Sequence, residues 1–121
     1  MRRQHNILHY IETGGPGGAE TILLNIAGNI DRQQYHSRVV LHKSDWLFNQ
    51  LSKHEIETEI IPSKYSWDIS FLIKFIGYCR RHKVDLIHSH LFGANLYGCL
   101  AGAILRIPVI ATFHNELFYF C

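Results

Sequence analysis

The chain has 121 residues, enough for one domain with a modest hydrophobic core. Hydrophobic residues make up 47% of the sequence and charged residues 18%, which is ordinary for a soluble globular protein and argues against intrinsic disorder. The formal net charge is +2, and the basic residues are scattered apart from Arg2-Arg3 and the cluster at 80–83. The sequence therefore gives no support for nucleic acid as a partner.

The cysteines and the apolar segments of the chain indicate in which cellular compartment the protein is expected. The three cysteines are odd in number and show no CxxC spacing, so a reducing, cytoplasmic compartment is the default expectation. The apolar run near the N-terminus is too short for a signal peptide. The longest apolar tract, 99–113, is interrupted by Arg106 and Pro108 and does not predict a membrane span. Arg2, Arg3 and the apolar tail at 117–121 leave room for peripheral contact with the inner membrane surface.

Short runs rich in β-branched residues alternate along the chain with segments of helical periodicity. In chain order the predicted elements are strand 5–11, helix 19–30, strand 37–42, helix 46–53, strand 57–61, helix 69–79, strand 84–89, helix 94–105 and strand 107–113. This regular alternation predicts an α/β fold, with a doubly wound, Rossmann-like parallel sheet and helices on both faces.

Apolar residues at helical spacing predict which face of each helix packs on the sheet. The predicted core positions are Ala19, Ile22, Leu23, Ile26, Ala27 and Ile30 in the first helix, Ile69, Leu72, Ile73, Ile76 and Cys79 in the third, and Tyr97, Leu100, Ala101, Ile104 and Leu105 in the fourth. In the third helix, Phe71, Phe75 and Tyr78 widen the stripe.

Three polar, glycine-rich loops predict the position of a binding site. In a doubly wound sheet, ligands bind beyond the carboxyl ends of the strands, where the strand order reverses. With the order 3-2-1-4-5, the crevice opens between the first and fourth strands, and the loops 13–20, 88–94 and 112–116 become neighbours. Their convergence at one edge is the main evidence for a site from the residues alone.

The glycine turn at 14–18 opens a helix, where backbone N–H groups can approach an anion. A tight strand-to-helix turn without a ligand is the plain alternative. The turn fails as a dinucleotide fingerprint, because Glu20 occupies the third position and the second strand ends in His42-Lys43-Ser44 rather than an acid. Glu20 also fits a purely structural role, since an acid in the first turn of a helix is favoured by the helix dipole.

The histidines near the strand ends are the other candidates. His88 and His90 are expected to point to opposite faces of their strand, which makes them poor partners for one metal, and we predict no metal site. We assign His88 a structural role. His90, at the strand's exit, is a candidate to donate to a phosphate or sugar oxygen, or to act as an acid or base. His114 occupies the equivalent exit of the fifth strand.

Three motifs together resemble a known family. They are Gly17-Gly18-Ala19-Glu20 after the first strand, the segment 85–90 (DLIHSH) before a small-residue helix, and the segment 108–114 (PVIATFH). Their order and spacing resemble the N-terminal half of GT-B glycosyltransferases of the family-4 kind. The resemblance implies two Rossmann-like domains facing across a cleft, no metal or other cofactor, and transfer with retention of anomeric configuration.

The resemblance also implies roles for particular residues. Gly17 and Gly18 carry over as the turn that approaches the donor diphosphate or sugar, and His90 as the catalytic residue near the transferred sugar. His114, with Asn115 beside it, carries over as a substrate-binding residue of the cleft. The implied substrates are a nucleotide-sugar donor and a glycan or lipid-linked acceptor.

The resemblance covers residues 1–121 as an N-terminal, acceptor-side domain that is truncated at its C-terminal end. The family's C-terminal donor-binding domain, with its E-x7-E motif, is absent from the sequence and would have to be supplied in cis or in trans. We therefore expect the chain alone to be inactive. The alternative is a stand-alone, flavodoxin-like binding or regulatory module, and an oxidoreductase is disfavoured by the failed dinucleotide fingerprint.

Overall fold

The computed structural model describes residues 4–64, 68–113 and 117–120. Its elements are β1 (His5–Ile11), α1 (Gly18–Asn29), β2 (Tyr35–Leu41), α2 (Trp46–Lys53), β3 (Glu57–Ile60), α3 (Ile69–Arg81), β4 (Leu86–His90), α4 (Phe92–Leu105), β5 (Val109–Phe113) and β6 (Leu117–Phe120). They form one sheet with the order β3-β2-β1-β4-β5-β6, in which the first five strands are parallel and β6 is antiparallel to β5.

The predicted α/β architecture and the strand order 3-2-1-4-5 are confirmed. The limits of β1 and α2 are those predicted, and the other elements that the sequence predicted differ by a few residues at their ends. Strand β6 was not predicted, because the apolar run after residue 116 was interpreted as a chain tail. In the structure this run forms a strand that pairs with β5, from Ile110↔Phe120 to Phe113↔Leu117.

Two hydrophobic layers sandwich the sheet, because successive strand residues point to opposite faces. Ile11, Val39 and Leu41 pack beneath α1 and α2 in one layer. Leu8, Tyr10, Val40, Ile87 and Val109 pack beneath α3 and α4 in the other. The helices therefore lie on both faces, as a parallel sheet requires.

The predicted core stripes of three helices are wrong in part. In α3 the core face is formed by Phe71, Phe75 and Tyr78, whereas Ile69 and Ile73 are 72% and 65% exposed. The stripes of the other two helices each contain two residues that the structure leaves exposed, namely Ile22 and Ile26 in α1 and Leu100 and Ile104 in α4. Each helix is apolar on more than one side, so spacing alone does not select the buried side.

A close approach between α4 and β5 depends on Gly102. A Cβ atom at this position would lie 2.2 Å from Cγ2 of Val109 and 2.7 Å from the backbone oxygen of Ile107. Since a backbone oxygen cannot move aside cheaply, any side chain here would push the helix away from the strand.

We predict that Gly102→Ala lowers the free energy of unfolding by about 1–3 kcal/mol, the usual cost of overpacking a core. Gly28→Ala is the matched control, because a Cβ there meets nothing within 4 Å. That helical change should stabilise the chain by about 0.5–1 kcal/mol. Chemical denaturation of both variants measures the difference, and equal effects would contradict the packing described.

Candidate functional site

The loops after β1 and β4 meet at the carboxyl edge of the sheet. The parallel pairing places Ile11, the last residue of β1, opposite His90, the last residue of β4. Beyond the strands, the backbone N–H of Gly93 donates to Oε1 of Glu12 at 3.0 Å. The N–H of Leu91 donates to the carbonyl of Thr112 at 3.0 Å, which ties the end of β5 to the same edge. The ends of β1 and β4 therefore meet as predicted, whereas most of the third predicted loop, 112–116, lies outside the described residues.

The glycine turn between β1 and α1 is fixed by backbone hydrogen bonds at both ends. Gly17 is the N-cap of α1, and its carbonyl accepts from the backbone N–H and the hydroxyl of Thr21 at 3.0 and 2.7 Å. The carbonyl of Gly14 accepts from the N–H of Leu47 at 2.8 Å, at the start of α2. The turn is thus anchored to two helices, and its remaining N–H groups stand at the N-terminus of α1.

Three glycines of this edge each lie against a carboxylate. A Cβ on Gly14 would meet Asp45, one on Gly17 would meet Glu20, and one on Gly93 would meet Glu12, at 2.1–2.9 Å. Glu20 is buried and accepts a hydrogen bond of 2.9 Å from the hydroxyl of Thr13. Sequence reasoning missed Glu12 and Asp45 as residues of the edge, because each stands alone in the sequence and only the fold brings it to a glycine.

Parts of this sheet edge lie beside carboxylates, and other parts are open. Ionised carboxylates accept hydrogen bonds, so the three acids favour hydroxyl donors, which sugars carry, and disfavour a phosphate beside them. A Cβ on Gly15 or Gly18 would meet nothing within 4 Å, so open space adjoins the helix N-terminus at those two positions. An anion has more room there than at Gly14, and Glu20, which lies against Gly17, is the acid nearest to that space.

Three histidines form a layer on one face of the sheet. His9 and His88 are cross-strand partners, and their ring centroids lie 5.6 Å apart. The rings of His88 and His90 are 4.2 Å apart. The expectation that His88 and His90 point to opposite faces is therefore wrong. Alternation separates neighbours in sequence, whereas residues two apart share a face.

The histidine layer has the donor set for a transition metal. The nearest ring nitrogens of His9, His88 and His90 all lie within 4.8 Å of one another. Three imidazoles with an open fourth position are a ligand set known from catalytic zinc sites. Nε2 of His88 lies 2.9 Å from Oγ1 of Thr112, and Nε2 of His9 lies 3.4 Å from Oγ of Ser37. Because the rings share one face, opposite orientation gives no reason to exclude a metal, and the expected absence of a metal stays a prediction.

Burial keeps His9 neutral. Its ring is almost completely inaccessible, and this loss of solvation, together with the nearby His88, lowers the pKa of His9 from 6.5 to about 3. Protonating it would place a charge in an apolar layer beside a second imidazole. The folded protein therefore resists binding a proton that the unfolded chain binds readily below pH 6.5.

His90 and the residue after it are unusual in two ways. The side chain of His90 is fully buried, so it does not face solvent at the edge where it ends its strand. Leu91 then adopts φ 76° and ψ 160°, a conformation that a bulky residue rarely takes and that costs on the order of 1–3 kcal/mol. Such strain is concentrated at functional sites, and here it forms the turn into α4 directly beside the predicted catalytic residue.

We predict a pH dependence of stability from His9. Between pH 6.5 and about 3 the unfolded chain binds one proton more than the folded chain at this residue, so stability falls as the pH falls through that window. The slope approaches about 1.4 kcal/mol per pH unit for one proton. In His9→Leu this part of the slope should vanish, whereas His54→Leu, a change at an exposed histidine, should keep it. Urea denaturation across this pH range provides the measurement, and identical slopes in all three proteins would contradict a neutral His9.

The structure places most of the predicted site residues at one edge. Gly17 and Gly18 begin α1, and His90 ends the neighbouring strand. His114 and Asn115 lie outside the described residues. None of these placements tests the roles predicted for the residues.

Comparison with known proteins then decides the family. The family model described as Glycosyltransferase Family 4 matches residues 16–120, almost the whole chain. The chain belongs to this glycosyltransferase family. A search of curated protein sequences gave no match.

Solved structures of glycosyltransferases share the fold. HepE from Anabaena, in complex with UDP, has 28% sequence identity and a TM-score of 0.73, and the match covers 88% of this chain and 28% of HepE. A glycosyltransferase from Rickettsia africae matches with a TM-score of 0.79 at 16% identity, covering 93% of this chain and 30% of that one. MurG from Acinetobacter baumannii matches with a TM-score of 0.71 at 19% identity, covering 93% and 36%. The chain thus spans about a third of the length of these GT-B glycosyltransferases.

The helices also bear on membrane insertion. Among the described residues, none of the helices combines the length and the hydropathy that crossing a bilayer requires.

Proposed function

We propose that the chain forms the acceptor-side domain of a retaining glycosyltransferase that transfers a sugar from a nucleotide-sugar to a glycan or lipid-linked acceptor. The observation that carries the proposal is that the ends of β1 and β4, which lead into the glycine turn and into α4, lie side by side at one sheet edge in a member of family 4. The structural relative HepE was crystallised with UDP and with UDP-glucose, so UDP-glucose is the first donor to test. The cytoplasmic location expected from the sequence stays a prediction.

The donor's diphosphate fits the open part of the edge. Backbone N–H groups at the start of α1 supply the positive end of a helix dipole, and Gly15 and Gly18 leave room for close approach. Transfer requires the leaving diphosphate to be stabilised, and fixed amides can do this without a metal. The acids at Gly14 and Gly93 then face the hydroxyl groups of the sugars.

His90 is proposed to act on the transferred sugar, by donating a hydrogen bond or a proton. Because its ring is fully buried, contact requires the strained Leu91 turn to shift when substrate binds. The ring of His88 lies against that of His90, and His9, the cross-strand neighbour of His88, is neutral because burial lowers its pKa.

We propose that donor binding and turnover need a second domain facing this edge. The donor-side domain supplies the second wall of the cleft in the GT-B arrangement that the family implies. The 121-residue chain alone should therefore not consume UDP-glucose, as judged by release of UDP. Steady turnover by the purified chain would overturn this part of the proposal.

The glycine turn can be tested with matched variants of the longest available gene product. Gly18→Leu should weaken nucleotide-sugar binding at least ten-fold, because the side chain would occupy the approach to the α1 N-terminus. Gly28→Leu, at the other end of the same helix, also has open space and should leave affinity unchanged. Calorimetric titration with UDP-glucose, or with the donor found by a thermal-shift screen, gives the affinities. Equal affinities in both variants would argue against an anion site here.

The role of His90 can be separated from a metal requirement. In the longer protein, His90→Ala should lower the rate of sugar transfer by about 10²–10⁴-fold while the fold survives. A chelator should leave the wild-type rate unchanged if transfer is metal-independent. An unchanged rate in His90→Ala would remove this residue from the site. A different result would instead assign the histidine layer to a metal. The wild type would lose activity with chelator and regain it with a divalent ion, and His9→Leu would be inactive even with the ion present.

A further inference from the structure

The side chain of Asn95, in the first turn of α4, is hydrogen-bonded at both of its polar atoms. Its Oδ1 accepts from the hydroxyl of Ser89 at 2.7 Å, and its Nδ2 donates to the carbonyl of Thr112 at 3.1 Å. The backbone N–H of Asn95 donates to the carbonyl of Leu91 at 2.8 Å. Asn95 is 3% exposed, and Ser89 is fully buried. One buried side chain thus connects α4 with the ends of β4 and β5.

These hydrogen bonds reach both chain neighbours of His90. Ser89 precedes His90, and its hydroxyl is bonded to Asn95. Leu91 follows His90, and its N–H donates to the Thr112 carbonyl at 3.0 Å, the same oxygen that accepts from Asn95. The residues on either side of His90 are therefore fixed by one asparagine, directly or through Thr112.

The turn at Leu91 needs such support. Its φ of 76° and ψ of 160° are unfavourable for a residue with a side chain, and such a conformation persists only where the surrounding structure imposes it. Glu12 also contacts this turn, through the N–H of Gly93, but that carboxylate is exposed. Hydrogen bonds are stronger in the low dielectric of the interior than beside water. Among the described residues, Asn95 is thus the buried side chain that bonds to both sides of the turn.

Thr112 extends the same restraint to the imidazole rings. While its carbonyl accepts from Asn95, its Oγ1 lies 2.9 Å from Nε2 of His88. The ring of His88 in turn lies 4.2 Å from that of His90, measured between centroids. The turn after His90 and the ring beside it are therefore held by one residue of β5, which Asn95 joins to α4.

We infer that Asn95 is a positioning residue for His90. By fixing Ser89 and the strained turn at Leu91, it sets where the backbone of His90 ends its strand and hence where the imidazole lies. Groups that hold a reacting side chain in place affect the rate of reaction through that side chain, without touching the substrate. The inference rests on the proposed function, because it assigns Asn95 a part in the same sugar transfer.

An asparagine side chain meets the chemical needs of this position. The site offers a hydroxyl donor on one side and a carbonyl acceptor on the other, so it requires one acceptor and one donor on a short group. Aspartate would keep the acceptor and set a charged oxygen against the Thr112 carbonyl. Leucine, which is similar in size, offers neither group and leaves both partners without their hydrogen bond.

Hydrogen exchange in the 121-residue chain tests the hydrogen bonds without reference to activity. In Asn95→Leu, the amide of Leu91 should exchange at least about ten-fold faster than in the wild type, because the carbonyl that accepts it is no longer held. The amide of Ile61, which donates to Leu41 at 2.8 Å on the other side of β1, is the internal reference and should change less. Asn25→Leu, at an exposed asparagine of α1, is the matched control and should leave both amides as they are.

Transfer kinetics of the longer gene product test the role in the reaction. Asn95→Leu should lower kcat by about 10–100-fold, while KM for the nucleotide-sugar stays within about two-fold, because a displaced imidazole affects the reaction rather than donor binding at α1. Ser89→Ala removes one bond of the network at little change in volume, so it should fold and lower kcat by a smaller factor. Asn25→Leu should match the wild type.

Combination with His90→Ala separates positioning from general destabilisation. If Asn95 acts through His90, Asn95→Leu should cause no further loss of kcat in the His90→Ala protein, within about two-fold. Losses that multiply in the double variant would overturn the inference. So would equal acceleration of exchange at Leu91 and Ile61, because it would indicate loss of global stability.

Failure of this inference is distinguishable from failure of the proposed function. A longer wild-type protein that transfers no sugar would overturn the proposed function, and the role of Asn95 would fall with it. In a wild type that does transfer sugar, an unchanged kcat in Asn95→Leu would overturn the positioning role alone.

Discussion

The parallel pairing of β1 with β4 is the constraint on which the candidate site depends. These strands are far apart in sequence, yet their register sets Ile11 opposite His90 and so aligns the loops that follow them. The hydrogen bond from Gly93 to Glu12 can form only because both strands end at the same level. With the topological switch located between them, a glycine turn and an imidazole from different parts of the chain reach one edge. Without this pairing, each motif is an isolated turn.

The same pairing concentrates histidines in the interior, and this has an energetic consequence. His9, His88 and His90 share one face because they are related by cross-strand register and by a spacing of two. Burial, together with the neighbouring His88, lowers the pKa of His9, so protonation of His9 opposes folding. Hydrogen bonds with Ser37 and Thr112 satisfy Nε2 of His9 and Nε2 of His88, respectively. The fold is therefore less stable in acid than near neutral pH, through His9.

The sequence predicts the order of elements better than it predicts their faces. Strand-helix alternation and the glycine turn follow from local preferences, which is why β1 and α2 were located with their limits. The buried side of α3 was predicted only in part. Cys79, Phe71 and Phe75 are buried as predicted, whereas Ile69 and Ile73 are exposed, because the helix has several apolar sides and the sheet accepts the larger aromatic residues. Strand β6 was missed because pairing with β5 is a tertiary relation. Glu12 and Asp45 became visible only when the fold set glycines against them.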